Sequence, residues 1–422
     1  MLILFVVCLC LFVLGNIPIG FALVLTSVVL LLYTGNSLLV LPQNLLSGVD
    51  NFPLMAIPFF ILAGELMNEG GLSLAIVRFV KALMGHIKGG LGYVAVVASM
   101  LFAGVSGSAI ADTSAIGSVL LPLMEQEKYD KDRSTALICS AGCVGPIIPP
   151  SIPMVLFGVI GGVSITKMFL GGIVPGVITG VFLMFAWYFM TRRRNLPVSA
   201  KASLWEVVVS AKDASVSLML PVIMMGGMLS GVFTPTEAAV VAVVYAFVVT
   251  VLIYRRLTFG QIRKIFLKSA RASAVVMFIC GAANALAYLI TVARIPQMLG
   301  DYLTSVSANR FVIMLIINGI ILIVGCFMDV APALLILGPI LLTVVQKMGF
   351  DPIYFGVILV YGLCLGLITP PVGTVLYVGC GISGIGLMDL LKRIYPLVFV
   401  YILVLLLITL FPQLIMFIPN HY

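Results

Sequence analysis

Two short segments, GPIIPPSIP at residues 145–153 and GLITPPVGT at residues 366–374, each place two adjacent prolines inside a long apolar stretch. Proline has no backbone N–H to donate, and its ring clashes with the preceding turn, so a helix must break at each double proline. The same break occurring twice predicts that the chain contains two copies of one structural unit.

Other landmarks support this internal repeat. Three matched pairs, Pro18 with Pro235, Asp112 with Asp329 and Pro122 with Pro339, share one constant offset along the chain. Gly145 and Gly366 are separated by a slightly longer offset. The change of offset predicts four extra residues in the second copy, between the matched prolines and the second double proline.

The composition indicates a membrane protein. The chain has 422 residues, of which 62% are hydrophobic and 9% charged, and its mean hydropathy is +1.25. Soluble domains carry about 25% charged residues, so this chain cannot keep its surface in water and lipid is its expected surrounding. The apolar stretches are long enough for transmembrane helices and lack the short alternating segments of a barrel. A net charge of +8 could suggest a nucleic-acid partner, but the basic residues lie in short loops, as positive-inside topology requires.

Loop charges predict that the two copies have opposite orientation. The loop 255–271 contains six Lys or Arg residues, whereas its counterpart 38–54 in the other copy contains none. Likewise, the stretch 78–88 is basic, and its counterpart 295–305 has no Lys or Arg. Because basic loops stay cytoplasmic, these differences indicate an inverted repeat. Both termini are then predicted to be periplasmic.

An inverted repeat needs an odd number of crossings in each copy. Each copy supplies five if one stretch folds back as a re-entrant hairpin, predicted at 88–127 and at 309–346. The hairpins are predicted to turn at residues 104–108 and 325–329, and broken helices are predicted at 134–164 and 352–386. The predicted fold class is therefore an all-α polytopic membrane protein with two inverted repeats, each of five crossings plus a re-entrant hairpin.

Irregular backbone inside a membrane must be satisfied by protein, water or a ligand. Freed carbonyls at a helix break suit Na⁺, and the N-terminal ends of half-helices suit an anion. Two pairs of hairpin turns and breaks therefore predict two Na⁺ sites, with no other metal or cofactor. The candidate Na⁺ ligands are Ser106, Ser108, Gly145, Ile148 and Ser151 in the first pair, and Gly325, Gly366, Thr369 and Val372 in the second. These glycines could instead serve only close helix packing.

Polar residues near the predicted turns are candidates for substrate contact, namely Asp112, Thr113, Asp329 and Thr374. Asp112 and Asp329 are interpreted first as caps of the helices that follow the turns, and otherwise as groups that bind a cation or relay protons. Glu65 and Glu237 lie near segment ends and are interpreted as interfacial or capping residues.

At this point the sequence resembles a known family, the large membrane subunit of the tripartite ATP-independent periplasmic (TRAP) transporters. The matching segments are IPFFILAGELM at 57–67, SGSAIADTSAIGSVLLPLM at 106–124, GPIIPPSIPMVLFG at 145–158, GVFTPTEAA at 231–239 and GLITPPVGTVLY at 366–377. The resemblance implies import of an organic acid with Na⁺ from a soluble periplasmic binding protein, across the bacterial inner membrane. It also implies a small four-helix membrane subunit, expected here as a separate polypeptide. Overall likeness favours the sialic-acid branch, with a dicarboxylate as the other substrate considered.

The family is also similar to elevator transporters, in which a transport block moves against a fixed scaffold. This implies scaffold segments at 1–87 and 214–308 and transport segments at 88–191 and 309–390. The remaining predicted segments are a cytoplasmic amphipathic connector at 192–213 and a C-terminal helix at 391–422.

Three other functions would leave different marks in the sequence. The sequence Gly104-Val105-Ser106-Gly107 matches the motif around an intramembrane serine nucleophile, but neither His86 nor His421 is placed to act as its base. A channel would need a continuous polar pore. A single-component sodium/carboxylate symporter of similar fold would work without partner proteins.

Overall fold

The computed structural model describes residues 2–194, 196, 198, 200–307 and 309–422. The predicted scaffold segments 1–87 and 214–308 and the predicted connector 192–213 therefore include positions that lie outside the described residues. Within the described ranges the secondary structure is helical, with α1 Leu2–Leu14, α2 Ile19–Thr34, α3 Val40–Val49, a 3-10 turn Phe52–Met55, α4 Ala56–Glu69, α5 Leu72–Met84, α6 Gly90–Ser106, α7 Ala109–Gln126, α8 Lys131–Gly142, α9 Ile152–Ile160, α10 Ile165–Thr191, α11 Leu204–Leu229, α12 Pro235–Phe247 with a π-helical turn Val248–Ile253, α13 Phe259–Val292, α14 Ile295–Val306, α15 Arg310–Phe327, α16 Val330–Lys347, α17 Pro352–Gly366, α18 Thr374–Ser383, α19 Leu387–Leu410 and α20 Gln413–His421.

Many of these helices are long and apolar. Eight helical stretches in the described ranges have the length and composition needed to cross a membrane, and shorter apolar helices accompany them. The prediction of an all-α polytopic membrane protein is confirmed. The inverted orientation of the two copies stays a prediction.

Both double prolines lie in non-helical links. The first break, residues 143–151, separates α8 from α9, and the second break, residues 367–373, separates α17 from α18. The peptide bonds Pro149–Pro150 and Pro370–Pro371 are cis, which the sequence analysis did not anticipate. The helices that lead into the breaks form the centre of the protein, because α8 is buried from Ser134 onward and α17 from Tyr354 onward.

The turns inside the two predicted hairpin stretches are shorter than expected. The first tip is Gly107-Ser108 between α6 and α7, and the second tip is Met328-Asp329 between α15 and α16. Gly104 and Gly325 lie inside helices, because glycine still supplies the backbone N–H that a helix needs. The chain turns only at Gly107, whose φ of +59° suits glycine, and at the extended Met328.

Three further boundaries differ from the sequence prediction. The loop 255–271 is helical from Phe259, since α13 runs without interruption for 34 residues. The predicted amphipathic connector supplies the first turns of α11, which begins at Leu204 with a Ser203–Glu206 capping box. The loop 38–54, which has no Lys or Arg, contains the short helix α3.

The helix bounds place the four extra residues of the second copy at a different point in the chain from the predicted one. Helix α6 begins at Gly90 and helix α15 at Arg310. These two residues are already further apart in the chain than the two members of a matched proline pair. Helices α7 and α16 begin at Ala109 and Val330, and their offset equals that of the two double prolines. The extra residues are thus already present before the tips. The structural counterpart of Asp329 is therefore Ser108, and the apparent matches of Asp329 with Asp112 and of Pro339 with Pro122 were wrong.

Candidate functional site

A cavity of about 280 Å³ lies where both tips approach the helices α4 and α13. Glu65 and Asn68 of α4 and Ala272 and Val276 of α13 form one wall. The opposite wall comes from the two tips and the two breaks, including Ser106, Ser108, Pro146, Asp329 and Leu367. The chain thus brings four irregular backbone segments to one space.

The first tip packs directly on the first break. A methyl group added at Gly107 would lie 2.8 Å from the carbonyl oxygen of Pro150, so only glycine fits between them. On the other side of the tip, a methyl group at Gly64 would lie 3.3 Å from the Cα atom of Ser106. The first tip is therefore held between the break and helix α4.

A buried carboxylate lies behind the first tip. Asp112 is fully buried in the first turn of α7, and the Ser106 hydroxyl donates a hydrogen bond to its Oδ1 atom. Its Oδ2 atom lies against Gly145 and has no hydrogen-bond partner among the described residues. The cap of α7 is Ser108, whose hydroxyl accepts from the Ala111 N–H at 3.5 Å, so the capping interpretation of Asp112 was wrong.

The first break also exposes backbone acceptors beside this carboxylate. Within the described residues, the carbonyl oxygens of Gly145 and Ile148 accept no backbone hydrogen bond. An anionic oxygen, a hydroxyl and free carbonyls are the oxygen ligands that a hard cation requires. Ser106, Asp112 and Gly145 come together, and Ile148 lies in the same break.

Ser151 has a different position from the other candidates of the first pair. Its hydroxyl donates to the Pro146 carbonyl at 2.5 Å and accepts from the Met154 N–H at 3.3 Å, which makes it the N-cap of α9. The Ser151 side chain thus links the Pro146 carbonyl, near the start of the first break, to the first turn of α9 that follows the break.

We expect Ser151→Ala to lower the free energy of unfolding by about 1 kcal/mol, because a serine N-cap contributes about that amount. The loss is measured as a lower midpoint of thermal denaturation of the purified protein in detergent. Ser203→Ala, at the exposed cap of α11, is the matched control and should cost less, since water can replace its hydroxyl. An unchanged midpoint for Ser151→Ala would contradict the capping role.

The ends of α15 and α17, which lead into the second tip and the second break, make a closer backbone contact. A methyl group at Gly366 would lie 2.6 Å from the Gly325 carbonyl oxygen, and the Gly373 N–H donates to the Cys326 carbonyl at 3.4 Å. The Thr369 hydroxyl donates to the Leu365 carbonyl at 2.7 Å, while the carbonyls of Thr369 and Val372 accept no backbone hydrogen bond in the described part of the chain.

The four candidate substrate residues do not share one place. Asp329 lines the cavity and caps α16, accepting from the Val330 N–H at 2.9 Å. Thr113 and Thr374 carry buried hydroxyl oxygens without a partner among the described residues, and neither they nor Asp112 line the cavity. Thr113 lies against Gly142 of α8.

Sequence reasoning missed the polar wall of the cavity. Glu65 lies near the C-terminal end of α4, and its Oε2 atom is 2.7 Å from the Lys268 Nζ atom of α13, while its interfacial position stays a prediction. The available signal was an acidic residue inside an apolar segment, which is a functional candidate by default. The other glutamate, Glu237, forms a capping box with Thr234, so its capping interpretation is confirmed.

The geometry gives no support to a serine nucleophile. A serine hydrolase needs a base that accepts a hydrogen bond from its nucleophile, usually an imidazole. The Ser106 hydroxyl donates to Asp112 instead, and His86 lies in the link between α5 and α6, outside the cavity wall.

The fold is one already seen in a membrane transporter. The crystal structure of the YdaH transporter of Alcanivorax borkumensis superposes with a TM-score of 0.66 at 14% identity, covering 87% of this chain and 86% of that chain. Fold similarity at this identity defines an architecture and leaves the cargo open.

The sequence family follows directly. The model of the tripartite ATP-independent periplasmic transporter, DctM component, matches residues 6–414, so the chain belongs to this family. It is 46% identical over 402 residues, 95% of each chain, to a Haemophilus influenzae protein named as a TRAP transporter large permease. It is 43% identical over 401 residues to the 2,3-diketo-L-gulonate TRAP transporter large permease YiaN of Escherichia coli, covering 95% of this chain and 94% of that one. It is 37% identical over 409 residues to the sialic acid TRAP transporter large permease SiaM of Vibrio cholerae, covering 97% of this chain and 96% of that one.

The resemblance found in the sequence is confirmed, and the chain is a multi-pass transport protein of the inner membrane.

Proposed function

We propose that this chain imports an organic acid together with Na⁺. The observation that carries the proposal is the pairing of each tip with a proline break, where backbone acceptors are free and Asp112 presents a carboxylate oxygen without a partner among the described residues. Such oxygens suit Na⁺, and a bound cation would offset the cost of leaving them buried. Two such pairs support two Na⁺ sites.

The adjoining cavity is the proposed place for the acid. It touches both tips, so cations bound behind the tips would attract an anion held in front of them. Relatives named for sialic acid and for 2,3-diketo-L-gulonate indicate an organic acid. The family supports a small membrane subunit and a periplasmic binding protein as partners.

A second cavity supports an elevator mechanism. It measures about 210 Å³ and is lined by Asn51, Cys280, Asn284 and Pro339. Ala272 and Asn284 lie on the same helix α13, twelve residues apart, which is about 18 Å at 1.5 Å per residue. The proposed transport block would carry the acid along α13 between these two spaces, with both termini periplasmic.

Uptake into proteoliposomes tests this function. The chain is reconstituted with its small subunit and supplied with the cognate binding protein and labelled N-acetylneuraminate, 2,3-diketo-L-gulonate or succinate. We expect uptake driven by an inward Na⁺ gradient to fall at least about tenfold when K⁺ replaces Na⁺, because the sites proposed at the two pairs of tip and break are expected to select Na⁺ over the larger K⁺.

Two outcomes would change the conclusion. Equal uptake in K⁺ would exclude Na⁺ coupling. Uptake by this chain alone, without binding protein or small subunit, would identify a single-component symporter instead.

A further inference from the structure

An ion pair lies at the edge of the first cavity, on the wall formed by α4 and α13. The Lys268 ammonium is 2.7 Å from the Glu65 carboxylate. Glu65 lines the cavity, and Lys268 lies one turn before Ala272 and two turns before Val276, both of which line it. Residues four apart share a helix face, so Lys268 continues the cavity wall.

The side chains that line this cavity do not themselves attract an anion, so attraction would have to come from the proposed Na⁺ ions and from Lys268. The cavity-lining residues in the described ranges include two carboxylates, Glu65 and Asp329, and no Lys, Arg or His. Two negative groups would repel an acid entering the cavity. Lys268 is the cation placed directly against this wall, and its side chain is 58% exposed.

We propose that Lys268 receives the carboxylate of the cargo, and that Glu65 holds the Lys268 ammonium while the cavity is empty. This inference rests on the proposed function. The ammonium exchanges one carboxylate partner for another, so its charge stays paired before and after binding. An exposed pair of this kind contributes little net stability, which keeps the exchange reversible, as transport requires.

The same wall defines a class of cargo. One cation pairs with one carboxylate, and a second carboxylate on the cargo would face Asp329 without a partner. Asn68 and Ser108, together with the carboxylates Glu65 and Asp329, offer hydrogen-bond acceptors to hydroxyl groups. The cargo is therefore a hydroxylated monocarboxylic acid in preference to a dicarboxylic acid.

A thiol reporter in the cavity tests the role of Lys268 without any transport. Ala272→Cys is introduced into the chain assembled with its small subunit, and its rates of modification by an anionic and a cationic methanethiosulfonate are compared. We expect Lys268→Gln to lower the anionic-to-cationic rate ratio about tenfold, and Glu65→Gln to raise it, because each removes one charge beside the reporter. The chain without the reporter measures background from its own cysteines.

Lys392→Gln is the matched control, because Lys392 forms an exposed ion pair with Asp389 at 2.9 Å and does not line the cavity. It should leave the ratio unchanged. A ratio that Lys268→Gln does not alter would overturn the inference.

Two further measurements address the cargo. N-acetylneuraminate should protect the Ala272→Cys reporter from modification, and succinate at the same concentration should not; equal protection by succinate would overturn the cargo class.

In uptake with binding protein present, Lys268→Gln should raise KM about tenfold and Lys268→Arg should restore most of the affinity. An unchanged KM would again overturn the inference. If the wild-type complex takes up none of the three acids, the proposed function fails, while the labelling ratio still decides the role of Lys268.

Discussion

Replacing Gly366 by leucine is expected to reduce Na⁺-driven uptake by at least about a hundredfold. A methyl group at this position would lie 2.6 Å from the Gly325 carbonyl oxygen, and a leucine side chain is much larger. The second tip must then move away from the second break, because backbone atoms cannot rotate aside as side chains can. Separating the tip from the break removes the proposed second Na⁺ site, and uptake of labelled acid into proteoliposomes measures the loss.

Gly381→Leu is the matched control for this substitution. Gly381 lies on α18, beyond the same break, and an added methyl group there would meet nothing within 4 Å. Both variants should assemble with the small subunit, which size-exclusion chromatography checks. Gly366→Leu with normal Na⁺ dependence would remove the second tip and break from the cation site, and Gly366→Ala should give an intermediate loss.

Replacing Asp112 by asparagine is expected to raise the Na⁺ concentration for half-maximal uptake at least about tenfold. The amide keeps an acceptor for the Ser106 hydroxyl but presents no anionic oxygen beside Gly145. A carboxylate binds a hard cation more strongly than an amide does, so the first Na⁺ site should weaken while the protein still folds. Initial uptake rates over a range of Na⁺ concentrations give the shift.

The effect should be specific to this carboxylate. Asp389→Asn, which breaks only the exposed pair with Lys392, should leave the Na⁺ dependence unchanged. If Asp112→Asn and the wild type show the same half-maximal Na⁺ concentration, Asp112 is not a cation ligand. A loss of protein from the membrane with no change in Na⁺ dependence would instead indicate a packing role.

The helix breaks could be predicted from the sequence because their cause is local. Two adjacent prolines remove two donors wherever they occur, so the breaks at 143–151 and 367–373 follow from the residues alone. The apolar helices could be predicted for the same reason, since hydropathy over a span is a property of the segment.

Features that depend on contacts between distant segments could not be predicted in this way. Asp112 and Asp329 share an offset with matched prolines, yet one is buried in the first turn of α7 and the other caps α16. The ion pair of Glu65 with Lys268 joins residues 203 positions apart in the chain, so no local pattern indicates it. The cis peptide bonds at both double prolines likewise could not be predicted from the order of the residues.

The length of α13 bears on the proposed transport motion. Its 34 residues span about 51 Å, whereas the hydrocarbon layer is about 30 Å thick. Four basic residues, Arg263, Lys264, Lys268 and Arg271, lie near the beginning of this helix. Cations are costly to move into the acyl chains, so under the proposed elevator mechanism α13 would stay fixed in the bilayer while the transport segments move along it.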